Sequence, residues 1–352
     1  MASLVVNIII TFTIVCFCLG YSGCNGDFPA GPFPPELPVL ADPIPYDDLA
    51  PGIFVFQRIG PAGNRYIGAY AMDTGQKRSL EYRAVIINEP AISPNGLAIA
   101  FTTYTTWDNT EDVYVLDIEG RLRDWVTEIP GREESPSWAS DAKRIFFFSV
   151  PDSTRSDSVQ LYRQSPVPKP SDRVLIFDSG KRTPRMHLQG PVSVSVMGTL
   201  LVGGDAIRTI SSDGTDVNLL IPAPGGGKTL YSPAWSPDGR SIALLVVTRN
   251  AERITSVAVV RYAADGTGAD TLVSLPAGGT TEWPGGNSYS LCWSPDGSQI
   301  AFTRPDGQDV GAHVYVIRTD HSGLVQVTTA PGVIDRSLSW GREIPVQGSI
   351  GE

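Results

Sequence analysis

Histidine and cysteine are scarce, and that scarcity removes several chemistries at the outset. Only three histidines occur, His187, His313 and His321, and none shares a short motif with another or with a cysteine. Of the four cysteines, Cys16 and Cys18 lie in an apolar N-terminal run, Cys24 follows it, and only Cys292 lies in the body. No disulfide framework or zinc-ligand spacing can be assembled from that set, so neither a metal nor a cofactor is expected. Basic residues are outnumbered: 27 Lys and Arg against 37 Asp and Glu give a formal net charge of −10. With no basic cluster, such a surface repels phosphate backbones, which argues against nucleic-acid binding. A Gly-x-Ser-x-Gly nucleophile elbow is also missing, and no α/β-hydrolase segment follows Trp340.

Turn-forming residues are plentiful instead. Glycine (36) and proline (29) punctuate a chain of 352 residues. That density suits many short strands joined by tight turns rather than long helices.

The N-terminus has a different character. From Leu4 to Gly20 it is apolar, broken by Asn7 and threonines, and the first charged side chain is Asp27. The run ends in Tyr21-Ser22-Gly23-Cys24, which resembles the processing site of bacterial lipoproteins, where the cysteine becomes the lipidated first residue. Two features depart from that pattern: Tyr21 stands where leucine is preferred, and no Lys or Arg precedes the apolar run. A plain cleaved signal and an uncleaved anchor are the other readings, and all three place the body outside the cytoplasm. Residues 1–24 are thus read as an export signal with Cys24 as its lipidation site. Between Asn25 and Pro51 come eight prolines, which predict an extended tether over residues 25–51.

The body repeats itself. Ser232-Pro233-Ala234-Trp235-Ser236-Pro237-Asp238-Gly239 returns as Ser290-Leu291-Cys292-Trp293-Ser294-Pro295-Asp296-Gly297, each running into a β-rich segment. Looser copies begin at Glu89-Pro90-Ala91-Ile92, Ser135-Pro136-Ser137-Trp138 and Pro191-Val192-Ser193, and a truncated one, Ser337-Leu338-Ser339-Trp340, stands near the end. The anchors Ile92, Trp138, Ser193, Trp235, Trp293 and Trp340 are spaced at lengths suited to one four-stranded unit. In each unit Pro-Asp-Gly turns a first strand into a second. A Gly-containing hairpin such as Ser212-Asp213-Gly214-Thr215 then joins a third strand to a fourth.

These repeats resemble those of the TolB-type propellers, related in style to WD40 blades, over about residues 52 to 342. The resemblance implies an all-β, six-bladed β-propeller of four-stranded blades. Ile53–Phe56, Tyr66–Tyr70 and Ser79–Tyr82 supply three strands without a first one, and Leu338–Trp340 supplies a first strand with nothing after it. The C-terminal strand is therefore expected to complete the N-terminal blade, closing the ring and leaving residues 343–352 as a tail. The separate α/β domain that precedes a TolB propeller finds no room in residues 25–51.

Candidate chemistry is sparse. Gly225-Gly226-Gly227-Lys228-Thr229 is followed by a strand, not by a helix that would cradle phosphate, and is read as a loop. Asp213, Asp216, Asp265, Asp270, Asp306 and Asp309 lack the spacing that wraps a calcium ion and are read as turn formers. The repeat tryptophans are read as inter-blade core, and Cys292 as a small buried hydrophobe. One constellation stands out. Four positions before each anchor stand Asn88, Glu134, Gln189, Tyr231, Tyr289 and Arg336, one per blade, expected to converge at the mouth of the central channel. Glu134 and Arg336 are also placed to salt-bridge across the ring. The expected function is non-catalytic binding or scaffolding at a bacterial cell envelope. The ligand would be an envelope protein, a peptide or a small polar molecule, and the propeller monomeric and membrane-attached through its lipid. The alternative is an enzyme acting on polysaccharide or peptide in the same funnel.

Overall fold

The computed structural model describes residues 45–60, 65–71, 87–104, 110–118, 121–127, 131–150, 159–167, 172–181, 188–250, 253–277, 289–305 and 311–342. The expected signal segment with Cys24, most of the proline-rich stretch, the strand expected at 79–82, His187, Asp306, Asp309 and the 343–352 tail lie outside the described residues. Among the described residues regular structure is almost wholly strand, with short 3-10 turns at Tyr46–Asp48 and Ser179–Lys181 and no α-helix.

The strands form successive antiparallel meanders. The first comprises β3 (Ile87–Ile92), β4 (Ala98–Tyr104), β5 (Glu111–Asp117) and β6 (Leu122–Trp125). The next holds β7 (Arg132–Trp138), β8 (Ile145–Val150), β9 (Gln160–Gln164) and β10 (Val174–Asp178). It is followed by β11 (Leu188–Val194), β12 (Leu200–Gly204), β13 (Ile207–Ile210) and β14 (Val217–Ile221). Then come β15 (Lys228–Trp235), β16 (Ser241–Asn250), β17 (Arg253–Ala263) and β18 (Asp270–Pro276). A last meander has β19 (Leu291–Trp293), β20 (Gln299–Pro305), β21 (Ala312–Arg318) and β22 (Val325–Gln326). The remaining sheet joins the two ends of the body. There β23 (Ile334–Gly341) pairs antiparallel with β1 (Ile53–Ile59), which pairs with β2 (Arg65–Ala71). The C-terminal strand supplies the first strand that the N-terminal sheet lacks, as the repeats required.

The turn chemistry explains why the repeat is spelled Ser-Pro-Asp-Gly. Ser236 Oγ donates to Asp238 Oδ1 at 2.6 Å, and that oxygen also accepts the Arg240 amide at 3.0 Å. Ser236 Oγ in turn accepts the Ser241 amide at 2.9 Å, and Gly239 takes φ of 69°. Ser294, Asp296 and Gln299 repeat the pattern at 2.6, 3.0 and 2.9 Å. Asp213 and Asp265 cap their own hairpins in the same way, each accepting an amide two residues on, from Thr215 at 3.1 Å and Thr267 at 3.0 Å.

Apolar faces pack between neighbouring sheets. The indoles of Trp138 and Trp293 are buried, and each donates its N–H to a carbonyl of the preceding first strand: Ala91 O at 2.9 Å and Ala234 O at 3.1 Å. At the chain ends Leu49, Ala50, Phe54 and Phe56 share a cluster with Val316, Leu338 and Trp340. Leu49 and Ala50, at the end of the proline-rich stretch, thus pack against the strands that follow. Gln299 reaches back to this segment, accepting the Ala50 amide at 2.6 Å and donating to Asp48 O at 2.7 Å.

Candidate functional site

The first strands of the meanders, together with β23, line a cavity of about 760 Å³. Their backbone is bulged where they reach it. Register shifts fall between Asn88 and Ala91, Glu134 and Ser137, Gln189 and Ser193, and Tyr231 and Ala234, with a corresponding shift where β23 meets β1. Each bulge contains a residue of positive φ: Glu89 (49°), Ser135 (56°), Gly190 (74°), Ser232 (47°) and Ser337 (54°). For the non-glycine members this backbone costs on the order of 1–3 kcal/mol each and persists only where the surroundings impose it. The first four of these bulges put proline next, at Pro90, Pro136, Pro191 and Pro233.

The bulge rotates the expected ring by about one residue. Of the six expected site residues, Glu134 and Tyr289 line the cavity, joined by Glu89, Ser135, Gly190, Ser290 and Ser337 from the following position. Asn88, Tyr231 and Arg336 stand behind that lining, and nothing is described for the side chain of Gln189.

One side of the mouth is a network of carboxylates, amides and guanidinium groups. Asn88 is buried; its Nδ2 donates to Glu111 Oε1 at 2.7 Å, and its Oδ1 accepts from Gln57 Nε2 at 3.3 Å and from Arg65. Arg336 Nε donates to Gln57 Oε1, and Thr102 Oγ1 donates to Glu111 Oε1 at 2.8 Å. Glu134 pairs with Arg132 at 2.9 Å, so the ion pair expected between Glu134 and Arg336 is not the contact Glu134 makes here. Glu89 accepts the Ser135 amide. Burial, reinforced by the charge of Glu134, pushes the Glu89 carboxyl up to about 7. Burial likewise raises Glu134 and lowers Arg336, although Glu89 partly offsets the latter.

The other side is aromatic. Tyr231 and Tyr289 stack with ring centroids 4.1 Å apart and planes 23° apart. The guanidinium of Arg249, at the far end of β16, lies 5.9 and 5.8 Å from the two centroids. Its Nη2 donates to Tyr289 Oη at 2.9 Å, and its Nη1 reaches Tyr231 Oη at 3.4 Å and Thr229 Oγ1 at 3.5 Å. Cys292 also faces the cavity; it is half-buried, and burial raises its thiol.

Sequence reasoning missed Gln57, Arg65, Glu89, Glu111 and Arg249. A signal for some of them existed, since Gln57 and Glu111 are polar residues inside or opening apolar strand segments, and such residues are buried only with partners. Among the described residues no group of three or more His, Cys, Asp or Glu side chains is placed to hold a metal ion.

Comparison with known proteins places the architecture. The sequence matches no known protein-family profile. An uncharacterized protein of Agrobacterium fabrum is 27% identical over 157 residues, covering 43% of this chain and 52% of that one. The chain therefore spans about half the length of the curated relative it matches. Among solved structures, TolB of Acinetobacter baumannii superimposes with a TM-score of 0.62 at 16% identity, over 83% of this chain and 67% of that chain. A protein of Agrobacterium tumefaciens assigned as TolB gives 0.53 at 12% identity, over 83% of this chain and 99% of the other. At these identities the likeness is one of fold, and it agrees with the repeats, the turns and the end-to-end strand pairing. The chain has the TolB-like β-propeller fold.

Proposed function

We propose that this chain is a six-bladed propeller, exported and held at a bacterial envelope by a lipid on Cys24, that binds a protein, peptide or small polar ligand at its channel mouth without catalysing a reaction. The domain scheme is that of the sequence reading: signal over residues 1–24, tether over 25–51, a monomeric propeller over 52–342 and a tail over 343–352. The single observation that carries the proposal is the cavity of about 760 Å³ lined by the first strands together with β23, which brings Glu89, Glu134 and Tyr289 to one concave surface, with Tyr231 stacked on Tyr289 behind it. A concave site of this size, with few but convergent polar groups, suits recognition of an extended or small polar ligand. The test is affinity capture from envelope extracts with the full chain, run beside Glu134→Ala and Tyr289→Ala. A partner enriched by the wild type and lost from both variants supports the reading; equal recovery by all three overturns the channel mouth as the site. Mass spectrometry of the mature N-terminus tests Cys24.

A second reading is favoured by one observation. Glu89 and Glu134 lie side by side on the same wall, Glu89 with its carboxyl raised to about 7 and Glu134 raised as well. Perturbed carboxyl pairs in a cleft also occur in enzymes that move protons at a glycosidic or peptide bond. A hydrolase and lyase screen in which wild-type turnover is abolished by Glu89→Gln or Glu134→Ala would replace the binding proposal, whereas turnover unchanged in both variants discards this alternative.

A further inference from the structure

Arg249 holds a half-buried positive charge that meets no carboxylate among the described residues. This is unusual in a chain with ten more acids than bases, because a partly desolvated cation is normally matched by an acid. Its three hydrogen bonds all go to hydroxyl oxygens, those of Thr229, Tyr231 and Tyr289. A hydroxyl that accepts from a guanidinium keeps its own proton to donate.

Arg304 supplies an internal contrast. Its guanidinium lies 5.6 Å from the Tyr315 ring and donates to Tyr315 Oη at 3.1 Å, much as Arg249 does with its tyrosines. Its Nε and Nη2, however, are both spent on the carbonyl of Pro276. Arg304 is anchored by an acceptor that has no proton to pass on. Arg249 is surrounded by groups that do.

The backbone around Arg249 is also built for its position. Gly225, Gly226 and Gly227 run consecutively at φ of 64°, 60° and 72°. Gly227 O accepts the Arg249 amide at 2.8 Å, and a Cβ on Gly227 would fall 2.4 Å from the Arg249 carbonyl. The triple-glycine segment is thus the support on which the end of β16 rests, with Thr229 and Tyr231 following it on β15.

We propose that Arg249, with the phenols of Tyr231 and Tyr289 and the hydroxyl of Thr229, forms a carboxylate-binding subsite that meets the channel mouth at Tyr289, the member of the four that lines the cavity. The assignment rests on that mouth being a ligand site and names the chemistry taken there. A planar guanidinium fork flanked by hydroxyl groups matches a carboxylate.

The subsite is tested with small probes whose binding does not depend on an unknown partner. The full chain is titrated at constant ionic strength with N-acetylalanine, a peptide-type carboxylate, with glucuronate, a sugar carboxylate, and with N-acetylalaninamide as the neutral control. Binding is read from the tyrosine absorbance difference. Saturation by either acid, no response to the amide, and a loss of about tenfold or more in affinity in Arg249→Gln support the subsite, with Arg304→Gln unchanged. The acid that binds more tightly identifies the source of the carboxylate. Should Arg249→Gln fail to fold, Arg249→Lys and Tyr231→Phe decide, since each keeps the fold's bulk while removing the fork or one donor. The proposal is overturned if neither acid saturates the wild type at millimolar concentration, if the amide binds equally, or if the folded variants bind as the wild type does. A protein that binds these acids yet captures no envelope partner keeps the subsite and loses the broader binding function, so the two failures are distinguishable.

Discussion

Phe54 and Trp340 stand opposite each other across the pairing of β1 with β23, their ring centroids 5.3 Å apart and their planes at 64°. These residues are separated by nearly the whole body, yet they occupy one edge-to-face contact, with Phe56, Val316 and Leu338 in the same cluster. The sheet edges that two chain ends would leave open are paired with each other, which ties the stability of the first sheet to the last strand.

Trp340→Ala should therefore behave as a global rather than a local lesion. Truncating a buried aromatic costs about 3–5 kcal/mol in a well-packed site. The expected result is a lower denaturation midpoint and exposure of β1 together with β23 in hydrogen exchange. A variant within about 1 kcal/mol of the wild type would show that the end-to-end pairing does not hold the body closed.

A second link between the ends is electrostatic. Arg58 and Asp335 are both buried and face each other bidentately, Nε to Oδ1 at 2.7 Å and Nη2 to Oδ2 at 2.8 Å. Burial raises the Asp335 carboxyl even against the lowering effect of Arg58. Asp335→Asn leaves the guanidinium buried without its counter-charge and should destabilise by about 3–5 kcal/mol. Replacing both residues, Arg58→Met with Asp335→Leu, should recover most of that loss. Chemical denaturation of the two variants separates the penalty of breaking the pair from the net worth of having it.

How much of this was legible in the sequence depends on whether local chemistry or tertiary geometry decides. Ser236-Pro237-Asp238-Gly239 dictates its own turn, so the turn, the flanking strands and the role of its aspartate could be read directly. The pairing of Trp340 with the segment at Phe54 followed from counting units, because a first strand was missing at one end and surplus at the other. The site was read less sharply. Of the positions four before each anchor, Glu134 and Tyr289 line the cavity, but the bulges at Glu89, Ser135 and Gly190 bring the following residue to it, and no local pattern announces a positive φ at a glutamate or serine. Arg249 was invisible for a different reason. It lies on a second strand, and only the packing of β16 against β15 and the segment at Tyr289 brings its side chain to the two tyrosines.

The seam between β5 and β7 should give the protein a distinctive pH dependence. Glu133 and Asp112 are both buried; Ser149 Oγ donates to Glu133 Oε1 at 3.1 Å, and Thr127 and Thr110 donate to Asp112 at 3.3 and 3.1 Å. Burial, followed by the neighbouring Asp112, pushes the Glu133 carboxyl up to about 8 from the ordinary 4.5. The folded protein then keeps a proton that the unfolded chain releases, so stability falls as pH rises from about 4.5 to about 8 and levels off beyond. Glu89, raised to about 7, adds a change of the same sign. Glu133→Gln removes the first contribution while keeping an acceptor for Ser149. Its melting temperature should fall less than that of the wild type between pH 5 and pH 9 (a range chosen about the Glu133 value). Parallel melting curves over that range would show that no proton is held at the seam.

The contact that holds residues 48–50 can be tested without disturbing the core. Gln299 is buried and reaches two backbone groups of the entering chain, the Ala50 amide and the Asp48 carbonyl, through the two ends of one side-chain amide. Gln299→Ala leaves both groups without this partner next to Leu49, whose side chain is buried in the cluster around Trp340. Loss of two such bonds costs about 1–3 kcal/mol locally, too little to unfold the body and enough to release the segment. The expected outcome is faster hydrogen exchange at Ala50 and protease cleavage before Pro51, with the melting temperature of the body little changed. Gln299→Glu is the sharper control: a carboxylate can still accept the Ala50 amide but cannot donate to Asp48 O, so protection should be intermediate. Equal protection in all three proteins would mean that apolar packing of Leu49 and Ala50, rather than the amide clamp, holds this segment in place.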